Sequence, residues 1–200
     1  MVKYRMPLRR KVRLTTPFGK SGSWKAGFHT GIDLVADEDR QVYPIASGKV
    51  ESINAHGSAY GNHVTVRHDD NKVSLYAHLA RIDVHKGELV DTNDRLGEEG
   101  ATGNVTGRHL HLEVHQDHYR YPAANSKPSD NPWLLNPATL LGIENKVGEV
   151  VYVDDKVSDW AKDAEKWVKE NGISDGERPK EFVTREEVWT MLYRFAQTLK

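Results

Sequence analysis

Gly107-Arg108-His109-Leu110-His111-Leu112-Glu113-Val114 alternates apolar and polar side chains with a strict period of two. That period belongs to a β-strand and not to a helix, whose like residues recur every three or four positions. Leu110, Leu112 and Val114 share one face, while His109, His111, Glu113 and His115 share the other. The apolar side is expected to enter a core. Two residues along a strand span ~7 Å, so one histidine of the pair can hold a metal while its neighbour reaches a water beside it.

The same alternation extends to neighbouring segments. In 73–79, Val73, Leu75, Ala77 and Leu79 are expected to face inward, with Tyr76 and His78 on the outer side. In 32–34, Ile32 and Leu34 anchor the segment and Asp33 points the opposite way. Residues 63–68 and 73–78 read as a hairpin closed by Asp69-Asp70-Asn71, with Asn71 suited to a left-handed turn position. Residues 42–45 and 48–53 flank a small-residue turn, and Leu96-Gly97 and 100–104 carry turn chemistry. From about 11 to 116 the pattern is that of an all-β domain.

Beyond it, Tyr-Pro, Lys-Pro-Ser-Asp-Asn-Pro-Trp and Leu-Asn-Pro interrupt any long element. Residues 119–142 read as a wrapping tail of a first domain spanning 1–142, and 143–155 as a linker. The last stretch, 156–200, changes period. Trp160, Ala161, Ala164, Trp167 and Val168 repeat at helical spacing and stop at Asn171-Gly172. Thr184 and Glu187 have capping-box spacing ahead of Val188, Met191, Leu192 and Phe195. A small helical hairpin is expected there, too small to be stable without a neighbour or partner.

Cysteine is absent from the 200 residues, so disulfides and thiolate metal sites are excluded and any metal must be held by histidine and carboxylate. His29 and Asp33 in Phe-His-Thr-Gly-Ile-Asp-Leu, with His78, His109 and His111, supply such groups. Three protein ligands that leave a fourth position to water describe a catalytic zinc site, not a structural one. The helical His-Glu-x-x-His motif is missing, so the site must be built from strands and loops. His56, His63, His68, His85, His115 and His118 are read as surface or hairpin residues, although His115 shares the face of His111.

The formal net charge is -1, which points to neither nucleic acid nor a membrane surface. Residues 1–28 nevertheless carry Lys3, Arg5, Arg9, Arg10, Lys11, Arg13, Lys20 and Lys25 and no acid. Such a run fits either attraction to an anionic polymer or a solvated surface strand. The amino terminus lacks the apolar segment of a secretory signal, and no apolar run is long enough to cross a bilayer.

Residues 29–114 resemble the lysostaphin/LytM family of zinc endopeptidases, which cut peptidoglycan peptides. The resemblance rests on His29-Thr30-Gly31-Ile32-Asp33, on Tyr76-Ala77-His78-Leu79, and on 102–113 with its His109-Leu110-His111-Leu112-Glu113. Pro17-Phe18-Gly19 adds to it, while Leu112 replaces the usual Phe and Asn71 a common Gly. It implies an antiparallel β-sheet or sandwich of the duplicated-hybrid-motif type. It further implies zinc on His29, Asp33 and His111, with His109 as general base and His78 serving the oxyanion or the leaving amine. Peptidoglycan peptides would then be the substrate, with the choice of bond set by loops such as 20–28, 56–62 and 117–133.

The carboxy-terminal stretch resembles a single S-layer homology motif, through Asp159-Trp160-Ala161, Asn171-Gly172-Ile173 and Thr184-Arg185-Glu186-Glu187. That implies binding to a secondary cell-wall polymer, or homo-oligomerisation through 156–200. The combination suggests a phage endolysin made in the host cytoplasm and acting on the wall after release, or the mature fragment of a secreted autolysin. Two other classes compete: a metal-free relative that binds wall and activates other hydrolases, and a phosphoryl carrier using paired histidines. The five filled site positions disfavour the first, and Asp33 disfavours the second.

Overall fold

Leu110, Leu112 and Val114 are fully buried together with Ile32, Leu34, Val64, Val66 and Tyr76, in the core around which the β-domain is built. The structure is a computed structural model and describes residues 2–152 and 170. Its strands are β1 (Lys11–Thr16), β2 (Ile32–Ala36), β3 (Gln41–Val42), β4 (Gly48–Ile53), β5 (Asn62–His68), β6 (Val73–Leu79), β7 (Arg81–Ile82), β8 (Leu89–Val90), β9 (Gly97–Glu98), β10 (Leu110–His115), β11 (Leu134–Leu135) and β12 (Val150–Tyr152). A nine-stranded sheet runs β12-β1-β2-β10-β6-β5-β4-β8, with β11 also on β10, and a three-stranded sheet runs β3-β9-β7. The pairings of these strands are antiparallel, so the domain is mainly antiparallel β, as the alternating pattern predicts.

The central position of β10, between β2 and β6, matters most for function. His111 lies opposite Asp33 on one side and opposite Ala77 on the other. The hairpin of β5 and β6 forms as read, and Asn71 takes its left-handed place at φ 66°.

The face assignment within 73–79 is corrected. Tyr76 is fully buried in the main core, opposite Leu112 and Val64, whereas Leu75 and Ala77 lie in a small cluster with Tyr60. Its phenol oxygen accepts from the Ile45 N–H at 2.8 Å and from Ser74 at 2.9 Å, so the polar tip is satisfied inside. Loop residues Tyr60 and Tyr119 cover the other face, so both sides of this strand are apolar enough to bury either set. The alternation also breaks at His78, which sits at φ 64°. Leu79 consequently returns to the main core directly after it.

The tail and linker carry more structure than their Pro-rich sequence suggests. Leu-Asn-Pro starts a helix, α1 (Pro137–Leu141), because Asn136 caps it by accepting from the Ala138 N–H at 3.0 Å and Pro137 fits the first turn. Gly142 ends it in a left-handed conformation at φ 69°. Residues 150–152, assigned to the linker, are strand β12 on the edge of β1. The chain divides into two units, Met1–Val153 and Asp154–Lys200. Apart from Glu170, the helical hairpin expected over 156–200 lies outside the described residues.

The basic run is partly neutralised by acids from elsewhere in the chain. Lys11 and Arg13 pair with Asp37, Arg10 with Glu38, and Arg9 donates to the Thr92 carbonyl and lies over the Tyr43 ring. Among the described residues, no helix is long and apolar enough to cross a membrane.

Candidate metal centre

The register of β2 against β10 sets Asp33 directly beside His111. His29 is brought to the same point by the segment entering β2. That segment passes close against β10 at Gly31, where any side chain would collide with the Leu112 carbonyl. The His29 N–H donates to the Lys20 carbonyl and the Gly19 N–H to the His29 carbonyl, both at 2.9 Å, which fixes the approach.

Three atoms then converge. His29 Nε2 lies 3.0 Å from Asp33 Oδ1 and 3.0 Å from His111 Nδ1, and His111 Nδ1 lies 2.8 Å from Asp33 Oδ1. Tetrahedral ligands at zinc's bond lengths lie roughly 3.3 Å apart, so the triangle is close to the right size. The remaining ring nitrogens are engaged elsewhere: His29 Nδ1 donates to the Pro17 carbonyl at 3.1 Å, and His111 Nε2 donates to Glu113 Oε1 at 3.1 Å. Each histidine therefore turns its other nitrogen toward the shared point. A single proton on His111 Nδ1 can serve only one of its two neighbours well, whereas a divalent cation serves all three. Among the described residues this is the group of His and acidic side chains able to hold a metal ion.

The electrostatics follow from that crowding. Burial opposes charge on His111, but Asp33 and Glu113 outweigh it and raise the imidazole to about 10. Burial likewise pushes Asp33 up, and hydrogen bonds from His111 and His29 overcome it, holding the carboxyl far below its ordinary range. A cation held by the triangle would take the place of the His111 proton, so its affinity would rise with pH.

Glu113 is the anchor behind the triangle, and neither its face nor its spacing led to it as a site residue. It is fully buried and receives His111 and Tyr60 on Oε1, His115 on Oε2 at 2.8 Å, and the Thr30 hydroxyl. Burial pushes its carboxyl up, yet His111 and His115 hold it well below the carboxylate range. Its place two residues after His111 on the same strand face was the available signal; Tyr60, from a separate loop, offered none. His115 is no surface residue: it is fully buried with Glu113. His63 and His68 are also buried. Their ring nitrogens bond Gly61 and Ser47 carbonyls, the His56 N–H and Ser74, which accounts for them structurally.

Replacing Glu113 by Gln is expected to leave the fold intact and weaken zinc binding about 10- to 100-fold, because the partner that orients His111 is altered. Competition with a chromophoric chelator measures this, and an unchanged affinity would remove Glu113 from the orienting role.

His78 and His109 flank the triangle. Their ring centroids are 4.8 Å apart, His78 is 5.8 Å from the His111 ring, and His109 Nε2 is 3.6 Å from Asp33 Oδ1. His78 Nδ1 donates to the Thr102 carbonyl and His109 Nδ1 to the Gly107 carbonyl, both at 2.9 Å. A carbonyl can only accept, so the neutral form of each ring carries its proton on Nδ1 and a bare lone pair on Nε2. Burial and the neighbouring His111 and His109 lower the His78 imidazole to about 4, which keeps it neutral near pH 7. All five residues singled out in the sequence thus lie together.

Known proteins show the same arrangement of chain. The model of peptidase family M23 matches residues 27–128. The peptidoglycan DD-endopeptidase ShyB of Vibrio cholerae is 38% identical over 86 residues, 43% of this chain and 20% of its own. The DD-carboxypeptidase/endopeptidase Mpg of Neisseria meningitidis is 35% identical over 107 residues, 51% of this chain and 24% of its own. The chain thus spans about a fifth to a quarter of the length of these curated relatives. Among solved structures, the catalytic domain of lysostaphin from Staphylococcus simulans matches in fold, with a TM-score of 0.56 and 23% identity over 65% of this chain and 92% of that one. A putative M23 peptidase from Pseudomonas aeruginosa gives a TM-score of 0.51 and 28% identity over 70% of this chain and 51% of that one. With half of its residues matched by the family and the fold in agreement, this chain belongs to peptidase family M23.

Proposed function

We propose that this chain is a zinc-dependent endopeptidase that hydrolyses peptide bonds in the stem peptides or cross-bridges of bacterial peptidoglycan. The observation that carries the reading is the convergence of His29 Nε2, Asp33 Oδ1 and His111 Nδ1, with each imidazole's other nitrogen tied back to protein. The named activities of ShyB and Mpg support the substrate class.

His29, Asp33 and His111 would hold the zinc. When bound, the ion supplies Lewis acidity to the scissile carbonyl and acidifies water to a pKa of about 7. His109, with its Nδ1–H on Gly107, offers Nε2 to the attacking water and takes its proton as the new C–O bond forms. His78, anchored on Thr102, is an acceptor while neutral and becomes a donor only once it carries a second proton. The two imidazoles, 4.8 Å apart, therefore share one task in sequence. His109 Nε2 takes the water's proton, and the His109 imidazolium so formed gives it to the leaving amine as the C–N bond breaks, directly or relayed through the acceptor Nε2 of His78.

In this reading the peptidase domain runs through strand β12, and 156–200 is an S-layer-homology-like module that binds wall polymer or assembles chains. A phage endolysin, lysing its host from within, fits that pairing of catalytic and targeting modules. Purified cell walls incubated with the protein should release fragments whose mass spectra show new peptide amino termini, dependent on zinc and abolished by chelation. Release of new reducing sugar ends instead, or no release at saturating zinc, would contradict the proposal.

A further inference from the structure

Glu99 and Arg108 meet at the end of β2, away from the candidate ligands. Glu99 is almost fully buried, at 1% exposure. Its Oε2 accepts the Ala36 N–H at 3.1 Å, and its Oε1 lies 2.8 Å from Arg108 Nη1 as an ion pair without hydrogen-bond alignment. Arg108 Nη2 in turn donates to the Ala36 carbonyl at 3.1 Å. Both peptide groups of Ala36 are thus held by one pair of side chains. Leu110 faces Leu34 in the β2–β10 ladder, so the same register continued by two residues would set Arg108 opposite Ala36. The backbone ladder stops short of that point, and the side-chain pair makes the bonds there instead.

The pair also governs the approach of His109. Gly100, next to Glu99, accepts the His109 N–H at 3.0 Å in an isolated bridge, and the Glu99 N–H is held by the Arg40 carbonyl at 2.8 Å. Gly100 packs so closely on the His78 carbonyl and the Ala80 backbone that no side chain fits. Residues 99–100 and 108–109 are therefore joined twice, by backbone at Gly100 and His109 and by side chains at Glu99 and Arg108. The side-chain join carries them onto the strand that holds Asp33.

We propose that the Glu99–Arg108 pair is a positioning device that fixes His109 relative to Asp33 for proton transfer. The proposal rests on the reading of His109 as the base. A guanidinium suits the task, because one rigid planar group donates to the Ala36 carbonyl while its charge faces the Glu99 carboxylate, which a flexible ammonium would hold less firmly.

The test uses Arg108→Lys, with Glu99→Gln as an independent second variant, in the full chain on a defined cross-linked muropeptide. Burial pushes Glu99 up to about 7 and Asp37 adds to it, against the Ala36 N–H, Arg108 and Arg40, so measurements at pH 8 keep the carboxylate ionised. Both variants should lower kcat about 10- to 100-fold with KM and zinc affinity within about twofold of the parent, the size expected when a reacting group is displaced by about 1 Å. In the metal-free protein, the His109 imidazole NMR signals should shift or broaden while those of His29 stay in place. An unchanged kcat with unmoved His109 signals would overturn the proposal. So would a parallel loss of zinc affinity or melting temperature, which would mark the pair as generally stabilising. A His109→Ala variant as active as the parent would sink the base assignment instead, and with that variant inactive the Arg108→Lys result bears on the pair alone.

Discussion

Changing His111 to alanine is expected to weaken zinc binding about 100-fold or more and to abolish turnover with it. His111 contributes one corner of the triangle through Nδ1 and ties it to Glu113 through Nε2, so its loss removes a ligand and the link to its buried anchor at once. Zinc held by four groups in small protein sites is bound by roughly 10–16 kcal/mol, so one ligand is worth on the order of 3 kcal/mol, a factor of about 100 or more in affinity. The remaining pair, His29 and Asp33, should hold the ion no better than many surface sites do. Metal analysis after gel filtration, with turnover of wall fragments measured on the same sample, checks both halves. Stoichiometric zinc retained by the variant would mean that another residue completes the site. Circular dichroism guards against the trivial case of an unfolded variant, since Glu113 keeps Tyr60, Thr30 and His115 as partners.

Truncating His109 to alanine should separate the two properties. The side chain is not a corner of the triangle: its Nε2 stands 3.6 Å from Asp33 Oδ1, and its Nδ1 is bonded to the Gly107 carbonyl. Zinc affinity should therefore stay within a few-fold of the parent, while kcat falls about 10²- to 10⁴-fold, the usual contribution of a positioned general base. The loss should lie in kcat with little change in KM, because the base acts in the transition state and not in binding. A variant with parental kcat would move the base role to His78, whose Nε2 is also a free acceptor in its neutral form.

The sequence was read most securely where chemistry and period agreed. In 107–114 the alternation assigns His111 and Leu112 to opposite faces, and the structure keeps that division while placing Asp33 across from His111. A period of two divides a strand into two sets but does not say which set meets solvent. At 73–79 this proved decisive, because loops carrying Tyr60 and Tyr119 cover the second face and Tyr76 found buried partners for its hydroxyl. The same cover buries Glu113 and His115, which a one-sided sheet would have left wet. Histidine takes positive φ more readily than most residues, but that preference is too weak to announce the left-handed backbone at His78 within 75–79. Asn136-Pro137 was legible in hindsight as a helix start, and the Pro-rich neighbourhood masked it. Strand β12 pairs only with residues far away in sequence, so nothing within 143–155 announced it.

One divalent ion is expected to be held by two imidazoles and a carboxylate from separate segments of this chain. Diffraction from crystals grown with zinc, recorded on both sides of the zinc absorption edge, tests it most directly. One strong anomalous peak is expected, bonded to His29 Nε2, Asp33 Oδ1 and His111 Nδ1. Zinc located elsewhere, or these three side chains turned away from one another at saturating metal, would contradict it.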